Sequence, residues 1–318
     1  MKGSVLVTGA SGFVGPHVVR ALVAGGARVQ GLGPEAVPPA GAADAPLERW
    51  HPADLRDPAA LAAAVARAAP DAIVHLAGQS SAARSFEAPE ESFAINALGT
   101  WNLLEAVRAA APRARVLIVG TSEVYGPQPE GSRVAEDTAF RPVSPYALSK
   151  AAADALAEVH ARQNGLDVIR TRSFGHTGPG QTTRFVTPAF AEQVAEIEAG
   201  RREPVLRVGN LEVTRDLIDV RDVARAYLAL LERGRSGAAY NVCRGAGVKL
   251  TDVARMLIER ARVAIRIEVD PARMRPADVP WLVGDPAAIE RDTGWRAGIP
   301  FARTLDDVLE EWRGRVRG

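Results

Sequence analysis

A chain of 318 residues is long enough for one large α/β domain with a smaller companion, and 47% hydrophobic against 24% charged residues provides for a full core. A formal net charge of +1 excludes a polybasic nucleic-acid surface, and the single cysteine, Cys243, excludes an internal disulfide or a cysteine-based zinc cluster. The five histidines show no HxxxH or HExxH spacing and no apolar run reaches membrane-spanning length, so the expectation is a cytoplasmic protein with no metal, membrane or nucleic-acid partner.

The first half alternates short apolar runs with alanine-rich stretches of helical period. Val5-Leu6-Val7 predicts a strand, 13–24 a helix, 28–32 a strand, 58–69 a helix, 72–76 a strand, 91–111 a helix and 115–119 a strand. This order implies an α/β fold built on a doubly wound parallel sheet. Helix 145–163, stopped by Asn164-Gly165, and a strand at 167–170 continue the pattern. Between 175 and 216 the texture turns to Gly, Pro, Thr and Arg around one amphipathic helix, 188–199, and suggests a substrate-facing insertion. Helix 219–233 and strand 239–242 return to the sheet, and helices near 251–262 and 302–314 complete the chain. The expected division is a dinucleotide-binding domain of 1–174 plus 219–244, and a smaller substrate domain of 175–218 and 245–318.

Two local patterns carry chemistry. Thr8-Gly9-Ala10-Ser11-Gly12-Phe13-Val14-Gly15 runs from the first strand into the first helix. Glycines at 9, 12 and 15 allow a tight turn, close approach to a pyrophosphate and close helix packing, and the helix N-terminus offers free N–H groups. Tyr146 and Lys150 lie four residues apart on one helix face, and Lys150 is one of only three lysines among 39 basic residues. An ammonium at that spacing is expected to lower the pKa of the phenol and make it a usable proton donor or acceptor.

These segments, with Thr121-Ser122-Glu123-Val124-Tyr125-Gly126, resemble the extended short-chain dehydrogenase/reductases, a family with a Rossmann-like sheet and a smaller C-terminal substrate domain. The resemblance implies a catalytic set of Thr121, Tyr146 and Lys150, with Glu123 as a further acid or base. It implies a cofactor site at Gly9, Ser11, Gly12, Phe13, Val14 and Gly15, at Asp54 and Leu55, and at Leu76, Ala77, Gly78 and Gln79. Asn96, Phe174, Tyr146 and Lys150 would complete that site. The resemblance implies NADP as the cofactor, with NAD the alternative; the second strand ends in Gly33-Pro34, neither the acid of an NAD site nor the arginine of an NADP site, so no residue there makes the choice.

The second half, from Thr171-Arg172-Ser173-Phe174 through Val208–Asp216 to Arg275–Pro280, resembles the GDP-4-keto-6-deoxy-D-mannose reductases, with GDP-mannose 4,6-dehydratases the nearest relatives. Substrate contacts are then expected at Ser80, Ser81, Glu123, Gly175, Gln181, Phe185, Val186, Arg215, Arg275 and Asp278. Gly175 stands where these relatives usually have Asn, and Asp278 where they have Glu. The implied partner is a GDP-sugar and the implied assembly a homodimer through helices 91–111 and 145–163. The resemblance implies NAD(P)H-dependent reduction of the C4 ketone of GDP-4-keto-6-deoxy-D-mannose to GDP-D-rhamnose; the alternatives are GDP-mannose 4,6-dehydration or another nucleotide-sugar epimerase/dehydratase reaction, and, from another class, non-catalytic dinucleotide sensing.

Overall fold

The computed structural model describes residues 2–39, 42, 45–274 and 279–317. Thirteen short strands are present among them. The first six are β1 (Gly3–Thr8), β2 (Ala27–Gly33), β3 (Arg49–Pro52), β4 (Ala72–His75), β5 (Arg115–Thr121) and β6 (Val168–Ser173). They are followed by β7 (Gly175–Thr177), β8 (Val205–Val208), β9 (Thr214–Asp219), β10 (Ala239–Val242), β11 (Gly247–Lys249), β12 (Arg266–Val269) and β13 (Trp281–Leu282). Seven form one parallel sheet in the order β10-β6-β5-β4-β1-β2-β3. The Val/Ile/Leu-rich strands at its centre are buried on both faces, as a parallel sheet covered by helices on each side requires. The order reverses between β1 and β4, and this opens a crevice at the carboxyl ends of the strands.

Helices Gly15–Ala24 and Val220–Arg233 cover one face through Val18, Val19, Leu22, Val223, Tyr227 and Leu230. Helices Pro58–Ala68, Gly99–Ala110 and Pro145–Asn164 lie on the other. Their ends follow local chemistry. Asp57 accepts from the N–H groups of Ala59 and Ala60 at 3.0 Å with Pro58 in the first turn. Ser144 accepts from Ala147 N at 3.1 Å, and Gly165 ends the same helix at φ +65°.

The long helix expected over 91–111 is interrupted. A helical turn at Pro89–Phe93 passes through one π-helical turn, Ala94–Leu98, into helix Gly99–Ala110. The π turn carries Asn96, whose side chain is engaged with the Gln79 backbone, and Gly99 packs so closely on Leu55 that a Cβ there would lie 2.8 Å from Leu55 Cβ.

Outside the large sheet, β9 pairs with β7 and β13 in parallel and with β11 antiparallel, and β8 pairs with β12. Helices Val186–Glu198, Leu250–Glu259 and Phe301–Arg317 pack around these short strands in a core that includes Phe190, Val194, Leu257, Phe301 and Leu305. Asp216 on β9 is buried and accepts from the N–H groups of Arg244, Gly245 and Gly284 at 2.9, 2.8 and 3.3 Å, which locks β9 to the loops that follow β10 and β13.

Candidate active site

The crevice is a cavity of about 520 Å³ that runs from the glycine loop, past the ends of β4, β5 and β6, to the β9 region, and a smaller one of about 280 Å³ adjoins it at the ends of β2 and β3. At the loop, glycine is demanded twice by the protein itself. Gly9 sits at φ +68°, where a Cβ would be 2.7 Å from Ala77 N, and a Cβ on Gly15 would be 2.2 Å from the Ala10 carbonyl. Gly12 differs: a Cβ there would approach nothing nearer than Gly9 O at 3.4 Å, and the residue is exposed to the cavity. The fold does not need glycine at 12, whereas a diphosphate resting on that backbone would.

Gly9, Gly12, Phe13, Val14 and Gly15 line the large cavity, joined by Leu76, Gly78, Gln79 and Phe174. Ser11, Asp54, Leu55 and Ala77 line the smaller one. Asp54 holds Arg56 through both carboxylate oxygens, and this ion pair keeps its carboxyl below the ordinary range. Asn96 lines neither cavity. Its Oδ1 accepts from Gln79 N at 2.8 Å and its Nδ2 donates to Gln79 O and Ser149 Oγ, both at 3.0 Å, so it fixes the Gly78-Gln79 loop from behind.

That support extends to the glycine loop. Thr100 Oγ1 donates to Asn96 O at 2.6 Å, so His75 Nε2–H donates to Thr100 Oγ1 at 3.1 Å. His75 Nδ1 therefore accepts from Thr8 Oγ1 at 2.7 Å, and Thr8 in turn accepts from Ala77 N at 3.2 Å. His75 is neutral, pushed down to about 3 by burial and by the Lys150 charge.

Thr121, Glu123, Tyr146 and Lys150 line the cavity together. Thr121 ends β5, and its Oγ1 accepts from Glu123 N at 3.3 Å in the 3-10 turn Ser122–Tyr125. Tyr146 shares the cavity wall with Thr121, and Lys150 Nζ donates to Val119 O at 2.7 Å. The expected acidification of the phenol is absent. Burial, and then the Glu123 charge, push Tyr146 above its usual value, against the neighbouring Thr121 hydroxyl, which pulls it down. Lys150 itself is pushed down to about 8 by desolvation. Helix Pro145–Asn164, which carries Tyr146 and Lys150, is held by a buried network that spacing did not reveal: Asp154 receives Arg170 Nη1 at 2.7 Å and Arg172 Nε at 3.1 Å from β6.

Ser80, Gly175, Gln181, Phe185, Val186 and Arg215 line the outer half of the cavity. Ser81 does not; it caps helix Ala82–Glu87 by accepting from Arg84 N at 3.2 Å. Arg275 and Asp278 lie outside the described residues. A Cβ on Gly175 would meet Leu217 Cδ2 at 3.0 Å and Asp216 O at 3.1 Å, so a larger side chain there is resisted by β9. Residues that sequence reasoning missed also face this space: Arg184, Asn210, Tyr227 and Arg273. Arg184 directly precedes the Phe185-Val186-Thr187 segment and was within reach of a motif reading; Tyr227 and Arg273 come from distant segments that only the fold unites. No helix among the described residues is long and apolar enough to cross a membrane.

A family model described as GDP-mannose 4,6 dehydratase matches residues 6–308. The chain is 37% identical over 318 residues to the GDP-6-deoxy-D-mannose reductase of Pseudomonas aeruginosa, covering 100% of this chain and 99% of that one. Among solved structures it resembles RMD from Pseudomonas aeruginosa complexed with NADPH, with a TM-score of 0.87, 35% identity and coverage of 98% and 99% of the two chains. It also resembles the UDP-glucose 4-epimerase of Thermus thermophilus in complex with NAD, with a TM-score of 0.88, 32% identity and the same coverage. The chain belongs to the GDP-mannose 4,6-dehydratase family of extended short-chain dehydrogenase/reductases.

Proposed function

We propose that this protein reduces the C4 ketone of GDP-4-keto-6-deoxy-D-mannose to GDP-D-rhamnose, with NADPH or NADH as the hydride source. The observation that carries the reading is the full-length likeness to a GDP-6-deoxy-D-mannose reductase. Thr121, Tyr146 and Lys150 stand together in a cavity that begins at the glycine loop, and the Tyr146 phenol is the proton donor that reduction of a ketone needs.

A nicotinamide dinucleotide, when bound, supplies a hydride to C4. Thr121 and Tyr146 are placed to hold the ketone oxygen between two hydroxyl donors, where negative charge develops as the carbon is reduced. Tyr146 gives its proton to that oxygen, while the single Thr121 hydroxyl proton stays on it as a hydrogen-bond donor. Lys150 provides the nearby positive charge while protonated. Gly9, Gly12 and Gly15 would receive the cofactor diphosphate, whereas Arg184, Arg215 and Arg273 surround the outer half and suit the diphosphate of the sugar nucleotide. The division into 1–174 plus 219–244 for the cofactor and 175–218 plus 245–318 for the sugar nucleotide is supported by the separate core around Phe190 and Leu305. Nucleotide sugar and nicotinamide cofactor meet in the cytoplasm, which is where we place the protein.

Incubation with the 4-keto sugar should oxidise one cofactor per sugar, and GDP-mannose should oxidise none. Conversion of GDP-mannose to its 4-keto-6-deoxy form without net cofactor oxidation would instead establish the dehydratase, with Glu123 as the eliminating base.

The same reading extends to a homodimer. Phe86, Leu98, Leu148 and Val159 are 50%, 59%, 50% and 45% exposed on the helices that flank the catalytic one and on that helix itself. Sedimentation should give the dimer mass, and Leu148→Glu with Val159→Glu should give the monomer; a monomeric wild type would contradict the assignment.

A further inference from the structure

We propose that Arg172 is a positioning residue for the reduction. It joins the turn that follows Thr121 to the helix that carries Tyr146 and Lys150, and so fixes the register of the two hydroxyls that receive the ketone oxygen. The proposal rests on the reading of Thr121 and Tyr146 given above and adds what holds them in place.

The two hydroxyls come from separate elements. Thr121 ends β5 and leads into the turn Ser122–Tyr125, whereas Tyr146 and Lys150 lie in the first two turns of helix Pro145–Asn164. Arg172 belongs to a third element, β6, where it is buried and does not line the cavity. A guanidinium there offers N–H donors in a rigid fork and accepts nothing. Towards the helix, Nε donates to Asp154 Oδ2 at 3.1 Å and Nη2 to Oδ1 at 3.4 Å. Asp154 stands one helical turn beyond Lys150. Towards the turn, Nη1 donates to Tyr125 Oη at 3.0 Å, two residues after Glu123.

The bonds of Tyr125 follow by elimination. Because the guanidinium only donates, the Tyr125 proton goes to Asn241 Oδ1 at 2.7 Å, and Asn241 Nδ2 donates to Val134 O at 2.8 Å. The guanidinium also lies over the rings of Phe140 and Tyr125, 4.5 and 5.4 Å from their centroids. Tyr125 is fully buried, so the turn cannot shift without breaking this set.

Arg170, two residues earlier on the same strand, separates linking from holding. Its Nη1 donates to Asp154 and to Glu158, both on the helix, each at 2.7 Å. Loss of Arg172 therefore leaves the helix docked on β6 and releases the turn. Lysine at 172 would keep the charge but lacks a fork that can hold Asp154 and Tyr125 together.

Kinetics of Arg172→Lys and Tyr125→Phe, each alone and combined with Tyr146→Phe, test this. Alone, they should lower kcat by about a hundredfold and about tenfold, the scale of a small misplacement of a reacting group. The KM for the sugar nucleotide and the calorimetric affinity for NADPH should stay within about twofold. In the Tyr146→Phe background each should lower the residual rate by less than about threefold, because the group being placed is already gone. A full loss in that background, an unchanged kcat in both single variants, or a loss confined to KM would overturn the proposal. Where Arg172→Lys does not fold, Tyr125→Phe decides by the same criteria, since its ring stays packed. A wild-type rate in Tyr146→Phe alone would instead remove the reading on which the proposal rests.

Discussion

Tyr146→Phe is expected to lower kcat by about a thousandfold while changing the apparent affinity for cofactor by less than about twofold. Tyr146 is only 8% exposed, and its surroundings raise the phenol above its ordinary range, so the proton is in place throughout the neutral range. Its loss as a donor falls on the transition state, where charge appears on the ketone oxygen, rather than on cofactor binding. Thr121 remains as a second hydroxyl beside the reacting oxygen, which sets a floor to the loss. The aromatic ring is preserved, so the melting temperature should hold. Steady-state kinetics with saturating cofactor check the prediction, and a kcat within tenfold of wild type would remove Tyr146 from the proton-transfer role.

Lys150→Met is expected to move activity and stability in opposite directions. The ammonium lies on the cavity floor with one donor on Val119 O, and desolvation lowers it from 10.5 to about 8. Between those two values the unfolded chain binds a proton that the folded chain has lost, so wild-type stability rises as pH climbs from 8 toward 10.5. Below pH 8 the charged form is retained at a cost of at most about 3 kcal/mol, since the group is partly open to the cavity. Methionine removes that cost. Its melting temperature should exceed that of wild type at pH 7, and the advantage should vanish by about pH 10.5. Turnover should nonetheless fall to background, and the wild-type rate should decline as pH rises through about 8 with loss of the ammonium charge. Thermal melts and a rate profile across that range measure both effects; a destabilised Lys150→Met at pH 7 would contradict the burial argument.

The parts of this site that sequence discloses are those whose function constrains neighbours along the chain. The loop from Thr8 to Gly15 is legible because the backbone itself demands glycine at 9 and 15. Tyr146 and Lys150 are legible because one helical turn separates them. The direction of their pKa shifts is not, because burial under the folded chain and the charge of Glu123 outweigh the pairing that the spacing suggests. Asn96 is visible as a polar residue in an apolar stretch, but the π turn that aims it at Gln79 is not. Gly33 reads as a missing cofactor signal until Trp50 is seen to occupy its face, since β2 and β3 are paired across a connection of fifteen residues, 34–48. The small sheet around β9 escapes prediction for a different reason. Its strands are two to six residues long with no sustained apolar run, and their pairing depends on contacts such as Asp216 with Gly284 that span 68 positions.

The central claim is that hydride and proton add to a ketone at C4, and isotope tracing addresses it directly. With cofactor deuterated at the transferable position of the nicotinamide and the 4-keto-6-deoxy sugar nucleotide as substrate, one deuterium should appear at C4 of the product for each cofactor oxidised. An unlabelled product, or label at C6 with the cofactor regenerated, would contradict the account.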